Sequence, residues 1–251
     1  MFSNAIKICS VNQFDIRVDP SWLIIASLVT WSLSQHYFPG AVPGLTNVTY
    51  LVMAMAAMLG LFGSLLLHEL AHSVVARRFG LPIRTITLFL FGGVAELEAE
   101  PKSAGVEFWV AIAGPVMSLA LGGAFWTLAQ IASLTGTTAL AETTSYLALI
   151  NVVLALFNLI PAFPLDGGRM LRAYLWHKTG DALAATRTAA KCGAFFAYFL
   201  MAMGIMALFQ GAFVAGIWYL MVGLFVFVAA KSSYANHLAQ TAFEGKTAGD
   251  L

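Results

Sequence analysis

The stretch Leu65-Leu66-Leu67-His68-Glu69-Leu70-Ala71-His72 decides how the rest of the chain is interpreted. Its H-E-x-x-H pattern separates His68 and His72 by four positions, so on a helix both imidazoles lie on one face and can bind one metal ion. Glu69 comes from the same turn and can take a proton from an activated water. Residues 49–76 are otherwise nearly all apolar, which indicates that this chemistry lies inside a membrane.

The composition places the whole chain in the class of multi-pass membrane proteins. Of its 251 residues, 60% are hydrophobic and 10% are charged, whereas soluble domains average about 45–50% and about 25%. Several long apolar runs argue against a protein with a single membrane anchor. The formal net charge of +1 comes without a basic patch, so a nucleic-acid partner is not expected.

The apolar runs predict an all-α polytopic membrane protein with six transmembrane helices. Short membrane-associated strands are predicted near the N-terminus, and a hairpin or re-entrant loop after the second helix, where Gly92-Gly93 interrupts a β-prone segment. The predicted spans are about 22–37, 49–79, 106–132, 146–160, 193–209 and 213–230, with a polar Thr-rich connection at 135–144. Residues 1–235 form the predicted membrane domain, and 236–251 a cytoplasmic tail.

The basic residues predict which side of the membrane the termini occupy. With six spans, every Lys and Arg falls on one side: before the first span, between spans two and three, between spans four and five, or after the last. The positive-inside rule therefore predicts cytoplasmic termini in a cell-membrane protein. Arg169 and Arg172 are interpreted as anchors of this topology.

A third metal ligand is predicted at Asp166. Catalytic zinc sites usually have three protein ligands and an open position. Asp166 follows Pro161 and Pro164 at the predicted cytoplasmic end of the fourth span, where a buried carboxylate is costly unless a metal or a partner compensates it. At 1.5 Å per residue, His68 lies about 28 Å from the start of its helix, which places it in the same leaflet.

Three motifs together resemble the site-2 protease family of intramembrane zinc metalloproteases. They are the motif from His68 to His72, the loop Phe91-Gly92-Gly93, and Asn158 followed by Pro161-Ala-Phe-Pro-Leu-Asp166-Gly-Gly. Their order and separation are similar to the family's over nearly the whole chain. The segment between Arg84 and Val106 is too short for a PDZ domain, which points to the branch without one.

The resemblance implies a zinc-dependent intramembrane endopeptidase with one Zn2+ per chain. Its substrates would be membrane-spanning or membrane-associated regulators, such as anti-sigma factors or pro-proteins, reached within the lipid bilayer. The resemblance assigns the zinc ligands to His68, His72 and Asp166, and the general base to Glu69. It assigns substrate binding to Asn158, through its amide, and to Phe91, Gly92 and Gly93, which would offer an open strand edge.

Two further features concern the chain's relation to that family. The tail from Phe243 to Leu251 is similar to the beginning of a cystathionine-β-synthase-type (CBS) domain. This implies a chain truncated after its membrane domain, with a regulatory domain that senses a nucleotide beyond it. In the third span, Ser118 stands where relatives often have Asn.

The residues leave other functions open. A non-proteolytic membrane metal-binding protein or a metal transporter could use the same histidines, although a transporter is expected to have ligands on both sides of the membrane. Here the outward half offers only His36 and Glu142. A different membrane zinc protease, such as a prenyl-protein protease, would take its third ligand from a glutamate in a later helix.

Overall fold

The computed structural model describes residues 5–11, 14–89, 92–97 and 101–243, which form a mostly helical fold with one small sheet. The helices are α1 (Ser21–Ser32), α2 (Phe38–Ala41), α3 (Asn47–Arg78), α4 (Ala104–Leu134), α5 (Thr138–Asn158), α6 (Asp166–Thr179), α7 (Ala182–Phe209) and α8 (Phe213–Phe243), with a π-helical turn at Leu33–Tyr37. The strands are β1 (Ile6–Val11), β2 (Phe14–Val18), β3 (Ile83–Phe89) and β4 (Gly92–Leu97). The chain divides into two compact units, residues 1–100 with 113–157 and residues 101–112 with 158–251.

The sheet belongs to the first unit and has the order β1-β2-β3-β4. Strands β1 and β2 form an antiparallel pair, as do β3 and β4, while β2 and β3 are parallel. The predicted N-terminal strands and the hairpin after the second helix are thereby confirmed. The Arg77 guanidinium lies 3.6 Å from the ring centroid of the fully buried Phe14, so this contact attaches β2 to the last turn of α3.

A second part of the first unit packs around the start of α3. Phe38 and Tyr50 are buried together with small residues of α3, among them Ala54 and Ala57. The Tyr50 hydroxyl donates a hydrogen bond to the Val42 carbonyl (2.7 Å). The aromatic cluster therefore fixes the connection that leads from α2 into α3.

The second unit contains the close pairing of α7 and α8. A Cβ atom added at Gly204 would lie 2.9 Å from the Gly216 carbonyl oxygen, closer than side chains normally approach backbone. The intervening turn uses Gly211 at a φ of +80°, a conformation that glycine adopts at little cost. Glycines thus allow both the tight turn and the close approach of the two helices.

Within the part of the chain that the structure describes, five helices are long and apolar enough to cross a membrane: Asn47–Arg78, Ala104–Leu134, Thr138–Asn158, Ala182–Phe209 and Phe213–Ser232. The chain is therefore a multi-pass membrane protein, but a count of six spans is not confirmed. The predicted first span, 22–37, is divided between α1 and the π-helical turn. With 12 residues, α1 alone is too short to span the bilayer.

One predicted connection was wrong, and one helix extends beyond the predicted span. The Thr-rich segment predicted as a connection is already helical from Thr138. Thr143 and Thr144 donate hydrogen bonds to the carbonyls of Ala139 and Leu140, both at 2.8 Å, so their hydroxyls are satisfied within the helix. At the other end, α8 continues to Phe243, and its part that could cross a membrane ends at Ser232, close to the predicted span limit of 230. The rest of the proposed CBS-like tail, 244–251, lies outside the described residues.

Candidate metal centre

The two histidines of the motif lie on the buried face of α3. His68 and His72 are 2% and 6% exposed, and Ser64 and Ala76, one turn before and after them, are buried as well. The Nε2 atoms of the two histidines are 3.2 Å apart. Since two nitrogens bound to one tetrahedral zinc at 2.0–2.1 Å are separated by about 3.3 Å, this pair fits a shared zinc ion.

Gly114 of α4 leaves the space next to these nitrogens open. A Cβ atom at this position would clash with Nε2 of His72 and would lie 2.5 Å from Nε2 of His68. Any other residue would therefore fill the volume next to the two nitrogens, which is where a shared ion would lie. The absence of a side chain at Gly114 is a second observation that fits a metal, and the sequence analysis did not assign this residue to the metal site.

One turn further along α4, Ser118 contacts the other side of the His68 ring. Its Oγ lies 2.9 Å from His68 Nδ1, and the serine is fully buried. The sequence analysis noted Ser118 only as a departure from the family pattern. A hydroxyl in an apolar helix was the one signal that could have drawn attention to it.

Glu69 lies next to the edge of the sheet. A Cβ atom at Gly93 would lie 2.6 Å from Cγ of Glu69 and 3.1 Å from its Oε1. Gly92 and Gly93 both belong to β4, the last strand of the sheet order. Phe91, predicted with them, lies outside the described residues. The structure thus brings the carboxylate of the motif and the backbone of β4 together.

In the second unit, Asp166 is the first residue of α6 and is 9% exposed. The chain leaves the helical conformation between Asn158 and Asp166, where Pro161 and Pro164 lie, and Gly167 and Gly168 belong to the first turn of α6. A Cβ atom at Gly167 would clash with the Leu159 carbonyl, and one at Gly168 with the backbone at Phe163. The glycines therefore let α6 start directly against the preceding loop, which fixes the position of Asp166.

Arg172, also on α6, is buried in an ion pair. Its Nε atom donates to Oε1 of Glu107 at 2.6 Å, and the two residues are 8% and 0% exposed. This differs from the interpretation of Arg172 as a topology anchor. Removing one partner of a buried ion pair leaves an uncompensated charge, which strongly destabilises the fold. The pair therefore holds α6 against the first turn of α4. It also gives Glu107, a glutamate in a later helix, a partner other than a metal.

Two asparagines of α5 differ in their surroundings. The predicted substrate residue Asn158 ends the helix and is partly exposed. Asn151, which the sequence analysis did not single out, is fully buried and donates hydrogen bonds to Ser64 Oγ (3.0 Å) and to the Leu147 carbonyl (2.8 Å). Asn151 thus joins α5 to α3 one turn before His68.

These features define a class: a multi-pass membrane protein with a buried pair of histidines arranged for one metal ion. The model of Peptidase family M50 matches residues 56–144 and 130–203. The chain belongs to this family.

Three proteins of known name or structure are similar to the chain. The "Putative zinc metalloprotease Rip3" of Mycobacterium tuberculosis is 40% identical over 248 residues, 98% of this chain and 63% of that protein. The "Putative zinc metalloprotease sll0528" of Synechocystis is 35% identical, over 99% of this chain and 64% of that protein. Among solved structures, the site-2 protease from Methanocaldococcus jannaschii has a TM-score of 0.61 and 28% identity, covering 92% of this chain and 95% of that one. The chain thus spans just under two thirds of the length of the first two relatives.

Proposed function

We propose that the protein is a zinc-dependent intramembrane endopeptidase that cleaves membrane-spanning or membrane-associated regulatory proteins. The observation that carries this proposal is the pair of Nε2 atoms 3.2 Å apart, with Gly114 keeping the adjacent volume free. The relatives that are named zinc metalloproteases support zinc as the metal. Imidazole and carboxylate ligands are also usual for zinc.

Asp166 is the third ligand in this proposal. Asp166 is 9% exposed at the start of α6, and a carboxylate is a usual zinc ligand. Two neutral imidazoles and one carboxylate leave the fourth position of a tetrahedral site open. The proposed stoichiometry is one zinc per chain.

The proposed reaction is hydrolysis of a peptide bond. When bound, zinc lowers the pKa of a water molecule and polarises a carbonyl group. Glu69 takes the proton of the attacking water and later passes it to the leaving amine. His68, His72 and Asp166 hold their positions throughout, because α3 and α6 are each fixed by buried contacts.

Strand β4 is the proposed binding edge for the substrate. Peptide bonds in a helix are shielded by their own hydrogen bonds, so the substrate must be extended at the site of cleavage. An edge strand can pair with such a segment, and Gly93 places this edge beside Glu69. Phe91 and Gly92 are further substrate-binding residues in this proposal, and the amide of Asn158 bonds a substrate carbonyl.

Substrates with single N-methylated amides test this binding mode. Strand pairing uses alternate backbone groups, so N-methylation should raise KM at every second residue around the cleaved bond. An Asn158→Ala variant should raise KM in the same assay. Equal tolerance of N-methylation at all these residues would contradict pairing with β4.

The proposed topology has six crossings with both termini in the cytoplasm. The parallel pairing of β2 with β3, Asp15 opposite Thr85, supports it. The chain leaves the sheet after Val18 and returns to it at Ile83, and with the sheet on one side of the membrane in this proposal the number of crossings between them is even. Because α3 supplies one crossing, the helical segment from α1 to α2 supplies the other.

The exposed Cys9 in β1 reports on this topology. In a Cys192→Ala background, a membrane-impermeant thiol reagent should label Cys9 in inside-out vesicles and leave it unlabelled in right-side-out vesicles. Labelling only in right-side-out vesicles would place the N-terminus outside and would overturn the assignment.

The central experiment measures zinc content and cleavage together on the protein purified in detergent. The native protein should bind one zinc per chain and cleave a single-span substrate, and a chelator should stop cleavage until zinc is restored. Asp166→Asn should lower both zinc content and cleavage. Asp181→Asn, which removes an exposed carboxylate that caps α7, should leave both unchanged. Full zinc content in Asp166→Asn would remove Asp166 from the ligand set.

A further inference from the structure

The hydrogen bond between Ser118 and His68 stands apart from those of the other buried hydroxyls. Most serines and threonines in these helices donate to a carbonyl of their own helix, as Ser64 does to Gly60 and Thr186 to Ala182, both at 2.8 Å. This is the usual way to satisfy a hydroxyl within an apolar helix. Ser118 instead has its Oγ 2.9 Å from Nδ1 of His68, 50 residues away in the chain.

The position of that bond on the imidazole matters for metal binding. The Nε2 atom of His68 faces Nε2 of His72, so it must carry the lone pair if it is to bind a metal. In a neutral imidazole the proton then resides on Nδ1. A proton on Nδ1 needs an acceptor, because an unpaired buried donor is costly. Ser118 Oγ lies at hydrogen-bonding distance.

We infer that Ser118 is a positioning residue for the metal site. Its hydroxyl oxygen accepts the Nδ1 proton of His68 and thereby holds the ring in the tautomer and orientation that present Nε2 to the ion. This inference rests on the proposed function, in that it takes the ion to be zinc bound by His68. The inference gives α4 a second role at the metal site, in addition to the open space at Gly114.

The same face of α4 therefore acts on the histidine pair in two ways. Gly114 and Ser118 are four positions apart, so they lie on one face of the helix. The first faces the Nε2 atoms and the second faces Nδ1. Loss of such an outer partner of a metal-binding histidine typically lowers metal affinity by about 10–100-fold.

The test is the zinc dissociation constant of the detergent-purified protein, measured by competition with a chromogenic chelator. Ser118→Ala should weaken zinc binding by about 10–100-fold. Ser118→Thr, which keeps the hydroxyl, should restore most of the affinity. Ser73→Ala is the matched control, because Ser73 is fully buried beside His72 and its Oγ has no hydrogen-bond partner among the described residues. That variant should bind zinc as the native protein does.

The melting temperature of the zinc-free protein shows whether Ser118 orients His68 or only contributes to the packing of the fold. If Ser118 acts only on His68, Ser118→Ala should change the zinc dissociation constant with little change in the zinc-free melting temperature. Native-like zinc affinity in Ser118→Ala would overturn the inference while leaving the proposed function intact. Equal losses in Ser118→Ala and Ser73→Ala would also overturn it. A native protein that binds no zinc would overturn both.

Discussion

Replacing Glu69 by Gln is expected to lower the rate of peptide cleavage by about 10²–10⁴-fold while zinc binding stays native. Glutamine keeps the shape of the side chain but cannot take a proton from water. The carboxylate is not among the proposed ligands, so His68, His72 and Asp166 should still hold the metal. Single-turnover cleavage of a single-span substrate, with zinc content measured on the same sample, reports both quantities.

Glu142→Gln is the matched control for this change. Glu142 is another carboxylate of the first unit, on α5, and it accepts a hydrogen bond from the Tyr37 hydroxyl (3.2 Å). Cleavage by this variant should be native. Native-rate cleavage by zinc-loaded Glu69→Gln would show that another group accepts the proton, and the mechanism proposed for Glu69 would be wrong.

Gly114→Ala is expected to weaken zinc binding by more than about 100-fold, beyond the effect of losing an outer hydrogen bond. The new methyl group would clash with Nε2 of His72 and crowd Nε2 of His68, so it would compete with the ion for the same volume. Chelator competition measures the zinc dissociation constant, and cleavage should fall in parallel.

Gly123→Ala controls for the general effect of alanine in α4. Gly123 lies in the same helix and in the same unit, and a Cβ atom there would have no atom of the described residues within 4 Å. Alanine is favoured over glycine within a helix by about 1 kcal/mol, so this variant should be at least as stable as the native protein and bind zinc normally. Unchanged zinc affinity in Gly114→Ala would mean that the ion does not lie beside this glycine.

The part of the site that could be predicted from the sequence is the part fixed by local geometry. Two histidines four positions apart on a helix must lie on one face, whatever the rest of the fold does. The contributions of Gly114 and Ser118 depend instead on how α4 packs against α3, 50 residues away in the case of Ser118. Glycine and serine are common in membrane helices, where they let neighbouring helices pack closely, so neither residue is a specific signal of a metal site.

The same difference between local geometry and contacts of distant residues explains the errors in the predicted fold. Thr143 and Thr144 suggested a connection because hydroxyl side chains are common in loops, yet in a helix the same groups bond to carbonyls four residues earlier. Arg172 suggested an exposed anchor because arginine is rarely buried without a partner. Its partner, Glu107, is 65 residues away, beyond the reach of any local pattern.

The parallel pairing of β2 with β3 also sets an order of assembly during synthesis. The paired residues Asp15 and Thr85 are about 70 positions apart, with α1, α2 and α3 between them. Strand β2 leaves the ribosome early but has no parallel partner until α3 has been inserted and β3 has emerged. Completion of the sheet beside Glu69 therefore follows insertion of the helix that carries the histidines, and the proposed binding edge at β4 becomes available only on a chain that already holds the proposed proton acceptor.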